Sequence, residues 1–326
     1  GRVRGQVSQM TAPTTMTAAV AHRYGPPEVL QLCSVRAPTP GSGEVRIRIL
    51  ASAVTASDIF IRSARVSPRL QVPFRLMMGV SRPRRPILGF VFSGVIDQAG
   101  PRTRRFAVGA EVYGATGFSL GAYAQFRCMP ERDSRWRGCL AHKPRTVTHE
   151  GATAAAYGGL LAVQYVDRAA IHPGDHFLIY GASGTSGTMA VQYATSLGAR
   201  VTAVCSTANL DLVRSLGASE VLDYTEVTEP PRGARYAVVL DCVGGLKTSP
   251  LKTACRSALA PGGRYVSIDD GRLGLSSARL DQIARLVDAG VVTPVLGATY
   301  PFEQLVEAHR FVEAGHKRGG VAVRIA

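Results

Sequence analysis

The hydrophobic pattern of this chain changes period near Thr148. Before that point apolar residues recur at every second position in short runs, broken by glycine and proline. The stretch "EVRIRILAS" (44–52) places Val45, Ile47 and Ile49 on one face of a strand. "PILGFVFSGVIDQAG" (86–100) and "VGAEVYGAT" (108–116) read as further strand–turn units that bend at glycine. This half predicts a partly open β-barrel. From Thr148 the spacing becomes helical over 148–171, with Thr148 and Glu150–Gly151 at its start. A buried strand, a helix over 187–198 closed by Gly198, the strand "RVTAVCS" and the helix "NLDLVRSLGA" follow. Next come the strands "EVLDY" and "YAVVLDCVGG", a helix around "PLKTACRSALA" and the strand "GRYVSIDD". An amphipathic helix over 276–290 sets Leu280, Ile283, Leu286 and Val287 on one side. Strands and helices alternating through short links predict an α/β unit, a doubly wound parallel sheet covered on both faces. The closing helix and strand are expected to return to the first domain. The expected division is 17–147 with 297–326, then 148–296, after a flexible extension at 1–16.

Composition narrows the class. The chain has 326 residues, a length that suits two domains. At 46% hydrophobic and 19% charged residues it is expected to fold. No run approaches the length of a membrane span, and the start lacks the apolar core of a secretory signal. No membrane partner is therefore expected. Six cysteines without CxxC spacing point to free thiols in a reducing compartment, the cytoplasm. The net charge of +15 is carried almost wholly by arginine. Its densest clusters, "SRPRRP" (81–86) and "PRTRRF" (101–106), are short and broken by proline, which reads as scattered surface charge and not as a nucleic-acid footprint. None of the seven histidines has a spacing that marks a base.

The chemistry begins at "LIYGASGTSGTMAVQYA" (178–194), where an apolar strand runs into a glycine turn and then a helix. In a G-x-G-x-x-G frame the matching residues are Ala182, Gly184 and Gly187, with Gly181 ending the strand; Ser183, Thr185 and Ser186 fill the turn. Such a turn lets a pyrophosphate approach the backbone, and the helix start offers unpaired N–H groups and partial positive charge. The prediction is a Rossmann unit that binds a dinucleotide. A carboxylate about 20 residues on would hold the ribose hydroxyls of NAD. Here the next strand ends "VCSTAN" with none. Ser206 and Thr207 are small and polar and leave room for a 2′-phosphate, so NADPH is the expected cofactor.

At these residues the chain resembles the medium-chain dehydrogenase/reductase superfamily, in its zinc-independent quinone-oxidoreductase-like branch. The resemblance covers about residues 17–326. It rests on "AVAHRYGPPEVLQL", "SDIFIR", "ILGFVFSGVI", "GAYAQF", "GASGTSGTMAVQYA", "LAPGGRYVSI" and "AHRFVEAGHKRGGVAVRI", in that order. It implies a GroES-like catalytic domain beside a Rossmann domain, a cleft between them, hydride transfer from NADPH and a homodimer. Zinc-dependent relatives carry a cysteine near Thr55–Asp58, a His-Glu pair after the glycine of "LG" and a cysteine before Gly-Leu. This chain has "VTASD", Phe90-Val91 after Gly89, and Tyr157 before Gly158. No metal is expected.

The resemblance further places Thr55 and Asp58 at the branch's Asn-x-x-Asp pair near the nicotinamide, and Tyr157 at the nicotinamide's border. It assigns Ser206 and Tyr224 to the 2′-phosphate, Cys242, Val243 and Gly244 to the nicotinamide ribose, and Ile268 to the carboxamide. Leu161 replaces a common threonine. Only Asp269–Leu275 separate "GGRYVSI" from the next helix, a shorter excursion than many relatives carry. The implied activity is zinc-independent reduction of a quinone or α,β-unsaturated carbonyl. An enoyl-thioester reductase of fatty-acid or polyketide type, and a non-catalytic, crystallin-like or RNA-binding nucleotide protein, stay open as alternatives.

Overall fold

The computed structural model describes residues 13–65, 68–245, 248–315 and 317–326, without the side chains of 68–70. Most of the expected extension at 1–16 lies outside them, but its end does not fit the expectation. Strand β1 (Thr15–Ala21) pairs antiparallel with β2 (Leu30–Arg36), in a register that sets Met16 opposite Val35. Met16 is buried in a small cluster with Ala18, Ala37 and Ala124, so the fold begins before Thr17.

The first sheet is built from β3 (Glu44–Ala53), β4 (Val91–Ala99), β5 (Glu111–Ala115), β6 (Phe126–Pro130) and β7 (Cys139–His142). Helices α1 (Ala56–Ser63) and α2 (Pro68–Met78) sit between β3 and β4. The stretch between β3 and β4 is thus largely helical. Val45, Ile47 and Ile49 are wholly buried, as their alternation predicts. Arg46, on the opposite face, is also buried, held by Asp97 at 2.6 Å.

Helix α3 (His149–Ala169) packs on both this sheet and the next. Thr148 caps it, accepting from the Gly151 N–H. The second sheet is parallel and contains β8 (His176–Tyr180), β9 (Arg200–Cys205), β10 (Glu220–Asp223), β11 (Tyr236–Asp241) and β12 (Leu259–Ser267), in the order β10-β9-β8-β11-β12. Its helices are α4 (Thr185–Ser196), α5 (Leu210–Ser215), α6 (Pro250–Ser257) and α7 (Ser277–Asp288). No sixth strand follows β12 among the described residues; the short 269–275 segment leads straight into α7. The chain then forms β13 (Leu296–Pro301), α8 (Leu305–Glu313) and β14 (Gly320–Arg324). Strand β14 pairs with β3, which brings the C-terminal segment back to the first sheet.

The strand order reverses direction between β8 and β11, and a cleft opens at their carboxyl ends, the usual place for a ligand in such sheets. Two close backbone contacts fix the helix beside that cleft. A Cβ on Gly187 would lie 2.2 Å from the Gly181 carbonyl oxygen, and one on Gly158 of α3 would lie 2.4 Å from the Thr185 carbonyl oxygen. Gly158→Ala ordinarily strengthens a helix by about 0.5–1 kcal/mol. Here it is expected to destabilise the protein by about 1–3 kcal/mol, since overpacking outweighs propensity. Urea unfolding midpoints of the two proteins check the sign.

Candidate functional site

A cavity of about 520 Å³ occupies the cleft. At one end stands the glycine corner. The 12-residue helix α4 starts at Thr185, two residues before the expected position, with Gly184 as its N-cap. Gly181 has φ +79, a left-handed conformation that lets β8 turn sharply into the helix. Around the missing side chain of Gly184 the space is open, apart from the Gly181 carbonyl at 3.4 Å. The first-turn N–H groups of a helix have no intrahelical acceptor. The corner thus combines donors, dipole and room for an anion. Gly181, Ser183, Gly184, Thr185 and Ser186 line the cavity. Ala182 does not; it is wholly buried beneath the turn, against Gly187. The expected glycine frame therefore contributes packing at Ala182 and Gly187, and Gly184 alone meets the open space.

A segment far along the chain closes over this corner. The Gly319 N–H donates to the Ser183 carbonyl at 2.8 Å. Thr185 Oγ1 donates to the Gly319 carbonyl at 2.9 Å, and Lys317 Nζ reaches Thr185 Oγ1 at 2.6 Å. The Thr185 hydroxyl is thus engaged within the protein. Gly315 and Lys317 line the cavity, a contribution that sequence reasoning missed because 130 residues separate them from the turn. The only signal was a basic pair before the last strand.

Beyond the corner, Cys205, Ser206, Asn209 and Tyr224 form the far wall. Tyr224 is 41% exposed, with its ring 6.3 Å from that of Tyr180. Thr207 lies outside the lining, and its hydroxyl donates to Asp223. Arg318 donates to the Ala208 carbonyl, so its guanidinium stands beside the 206–209 turn. Arg214 is taken up by Asp211 at 2.9 Å.

The other end holds Ala56, Tyr157, Leu161, Cys242, Val243 and Ile268. The Cys242–Gly244 turn is shaped by buried Asp241. Its carboxylate accepts from the Val243 and Gly244 N–H groups at 3.0 and 3.1 Å, from the Tyr265 hydroxyl at 2.8 Å, and pairs with Lys252 at 2.7 Å. Gly244 itself does not line the cavity. Tyr165 donates to the Ile268 carbonyl at 2.8 Å and steadies that strand end. The Tyr157 hydroxyl lies 3.4 Å from Ser57 Oγ, and its ring packs edge-on to Phe90. Burial raises the Tyr157 phenol above its usual value, so it stays protonated at neutral pH.

Thr55 and Asp58 are near this end but do not line it. They form a capping box on α1, and the Asp58 carboxylate accepts from Thr55 N at 2.9 Å and Thr55 Oγ1 at 2.6 Å. Asp58 is only 1% exposed. The resemblance sets Asp58 near the nicotinamide; in the structure its carboxylate faces Tyr123 and does not line the cavity. Burial weakens it as an acid, lifting its pKa to about 6.

The sequence and the fold have counterparts among known proteins. Residues 41–173 match the alcohol dehydrogenase GroES-like domain family, and residues 187–292 match the zinc-binding dehydrogenase family. The mitochondrial NAD(P)H oxidoreductase RTN4IP1 of Mus musculus is 31% identical, over 99% of this chain and 92% of its own. This chain belongs to the medium-chain dehydrogenase/reductase superfamily. Within the superfamily it falls in the quinone-oxidoreductase-like branch, and it is an oxidoreductase that takes a nicotinamide cofactor. The chloroplastic NADPH-dependent alkenal/one oxidoreductase of Arabidopsis thaliana is 27% identical over 95% of this chain and 80% of its own. The quinone oxidoreductase structure from Coxiella burnetii superposes with a TM-score of 0.82 at 21% identity, over 96% of this chain and all of the other, and shows the common fold.

Many members of the superfamily bind zinc, and the site here does not fit it. Catalytic zinc needs three protein ligands and one open position. The cavity offers two thiols, Cys205 and Cys242, pushed up by burial to about 11 and about 12, and no imidazole or carboxylate among the described residues that line it. Among the described residues no three His, Cys, Asp or Glu side chains cluster as a metal would require.

The placement of Asp58 gives a pH signature. Its folded value lies above its ordinary 3.8, so its contribution to stability is present below about 3.8 and is lost as pH rises through about 6. From about pH 4 to about pH 7 the wild type is expected to lose up to about 3 kcal/mol relative to Asp58→Asn. Denaturant midpoints of both proteins at several pH values check this.

Proposed function

We propose that this protein is a zinc-independent reductase that uses NADPH to reduce a quinone or an α,β-unsaturated carbonyl compound. The observation that carries this reading is the single cavity that joins the anion-binding corner to an apolar end bearing one neutral phenol. The names of its relatives support the reaction class, since one acts on alkenals and enones and another is an NAD(P)H oxidoreductase. The enoyl-thioester and non-catalytic alternatives draw less from these same relatives.

A bound nicotinamide supplies the hydride in this reaction. The chain's own residues bind, orient and protonate. The α4 start and the 183–186 backbone hold the diphosphate, with Lys317 adjacent. Ser206 and Tyr224 border the adenosine end, no carboxylate stands on the cavity wall there, and Arg318 beside Ala208 adds the cation that a 2′-phosphate needs. This combination favours NADPH over NADH. Leu161, Val243 and Ile268 confine the acceptor and exclude water. As negative charge grows on the acceptor oxygen, the Tyr157 hydroxyl, braced by Ser57, donates a hydrogen bond and then a proton. Without a metal to polarise that oxygen, activated acceptors suit the site better than simple ketones. A homodimer belongs to this reading, with β12 at the open edge of the parallel sheet as its natural surface.

Loss of absorbance at 340 nm with NADPH and a quinone or enone is the direct assay; binding without turnover of any such acceptor contradicts the proposal. Tyr157→Phe is expected to lower kcat by about 10²-fold or more, with a small change in NADPH affinity, in single-turnover and titration measurements. Ser206→Asp is expected to weaken NADPH at least about tenfold and leave NADH nearly unchanged, because a carboxylate repels the 2′-phosphate and suits a free hydroxyl. Equal weakening of both cofactors would count against the 2′-phosphate assignment.

A further inference from the structure

Helix α2 has two apolar faces, and only one is covered. Phe74 and Met78, four residues apart, are buried at 7% and 5% exposure, with Phe74 packed on Phe60 and Tyr24. On the other side Val72, Pro73, Leu76, Met77 and, just past the helix, Val80 stand in solvent. Val72, Leu76 and Val80 are 67%, 61% and 67% exposed. Val72 and Leu76, four residues apart, share one face of the helix, and Val80 follows exposed just past its end. Folding gains nothing from leaving such a stripe bare, and exposed contiguous apolar surface marks a docking site.

The surroundings say what it docks against. Between Asp58 and Asp97 the sequence holds seven arginines and no carboxylate. Arg82, Arg84 and Arg85 are exposed immediately after the stripe. Arg75 lies over the Tyr24 ring at 4.5 Å and donates to the Val80 carbonyl at 2.8 Å, tying the helix to the segment that follows. A groove of about 560 Å³ beside it is lined by Val80, Ser81, Arg82, Arg84 and His22. The partner must therefore offer apolar depth and negative charge together. A second copy of the chain would bring arginine against arginine.

We propose that α2 and the 79–86 segment form a peripheral membrane-docking surface, with the apolar stripe entering the interface of an anionic bilayer and the arginines meeting lipid phosphates. This is an interfacial helix and not a span, which agrees with the finding that among the described residues no helix is long and apolar enough to cross a membrane. The inference does not depend on which acceptor the cavity takes.

The test is vesicle flotation of the full-length protein, using phosphatidylcholine alone and phosphatidylcholine with about one-third phosphatidylglycerol. Binding to the anionic vesicles is expected to be at least about tenfold tighter, and to fall at high salt. Val72→Asp/Leu76→Asp and Arg82→Glu/Arg84→Glu/Arg85→Glu are each expected to lose it, while the thermal midpoint and turnover with a water-soluble acceptor stay as in the wild type. Absence of binding to anionic vesicles at low salt overturns the proposal. So does binding that survives in the Val72→Asp/Leu76→Asp protein, which would reduce it to plain charge attraction. Sedimentation velocity adds a third arm: a dimer lost in that double variant, with no vesicle binding, would assign the stripe to self-association instead.

Discussion

The structure depends on how closely three pieces of backbone approach one another at the end of β8. Gly187 rests against the Gly181 carbonyl, Gly158 of α3 rests against the Thr185 carbonyl, and the Gly319 N–H bonds to Ser183. The first two contacts leave no space for a side chain at the glycine, and at Gly319 the Val295 carbonyl excludes one. Together they press the first turn of α4 between a strand, a helix and the returning C-terminal segment, while its unpaired N–H groups face the cleft. The open start of α4 is thus a by-product of packing, and an anion bound there would cost the helix no reorganisation.

The opposite end of the cavity is set by buried polar groups and not by glycine. Asp241 gathers two N–H groups, a phenol and Lys252, which fixes the 242–244 turn. Asp58 and Thr55 close a capping box under α1, so that Ser57 on the same turn stands near Tyr157. A carboxylate so fully removed from water needs those hydrogen bonds to remain in place. The Tyr157 phenol, proposed as the proton donor, is therefore steadied by residues that do not line the cavity.

Much of this was legible in the sequence. The alternation at Val45, Ile47 and Ile49, the glycine-closed helices and the apolar runs of the second half gave the two sheets, since each rests on a local period. The turn at 181–187 was legible for the same reason. What escaped were features that depend on distant chain segments. Lys317 and Arg318 join the site from beyond α8, far from Ser206 in sequence, whereas Arg214 on the helix after Ser206 is occupied by Asp211. The resemblance sets Asp58 beside the nicotinamide, and position in a sequence cannot tell a carboxylate that faces a ligand from one that reaches back to its own N-cap. Helix α2, with proline at 73 and apolar residues on two faces, has no single amphipathic stripe to read.

The central claim is that dinucleotide phosphates bind the open start of α4. Amide proton and nitrogen shifts of an isotope-labelled sample, followed through an NADP⁺ titration, test it most directly. The account predicts large saturable shifts of the Gly184, Thr185 and Ser186 amides, with a smaller response at Gly319. Saturable binding that leaves those amides unmoved would contradict it.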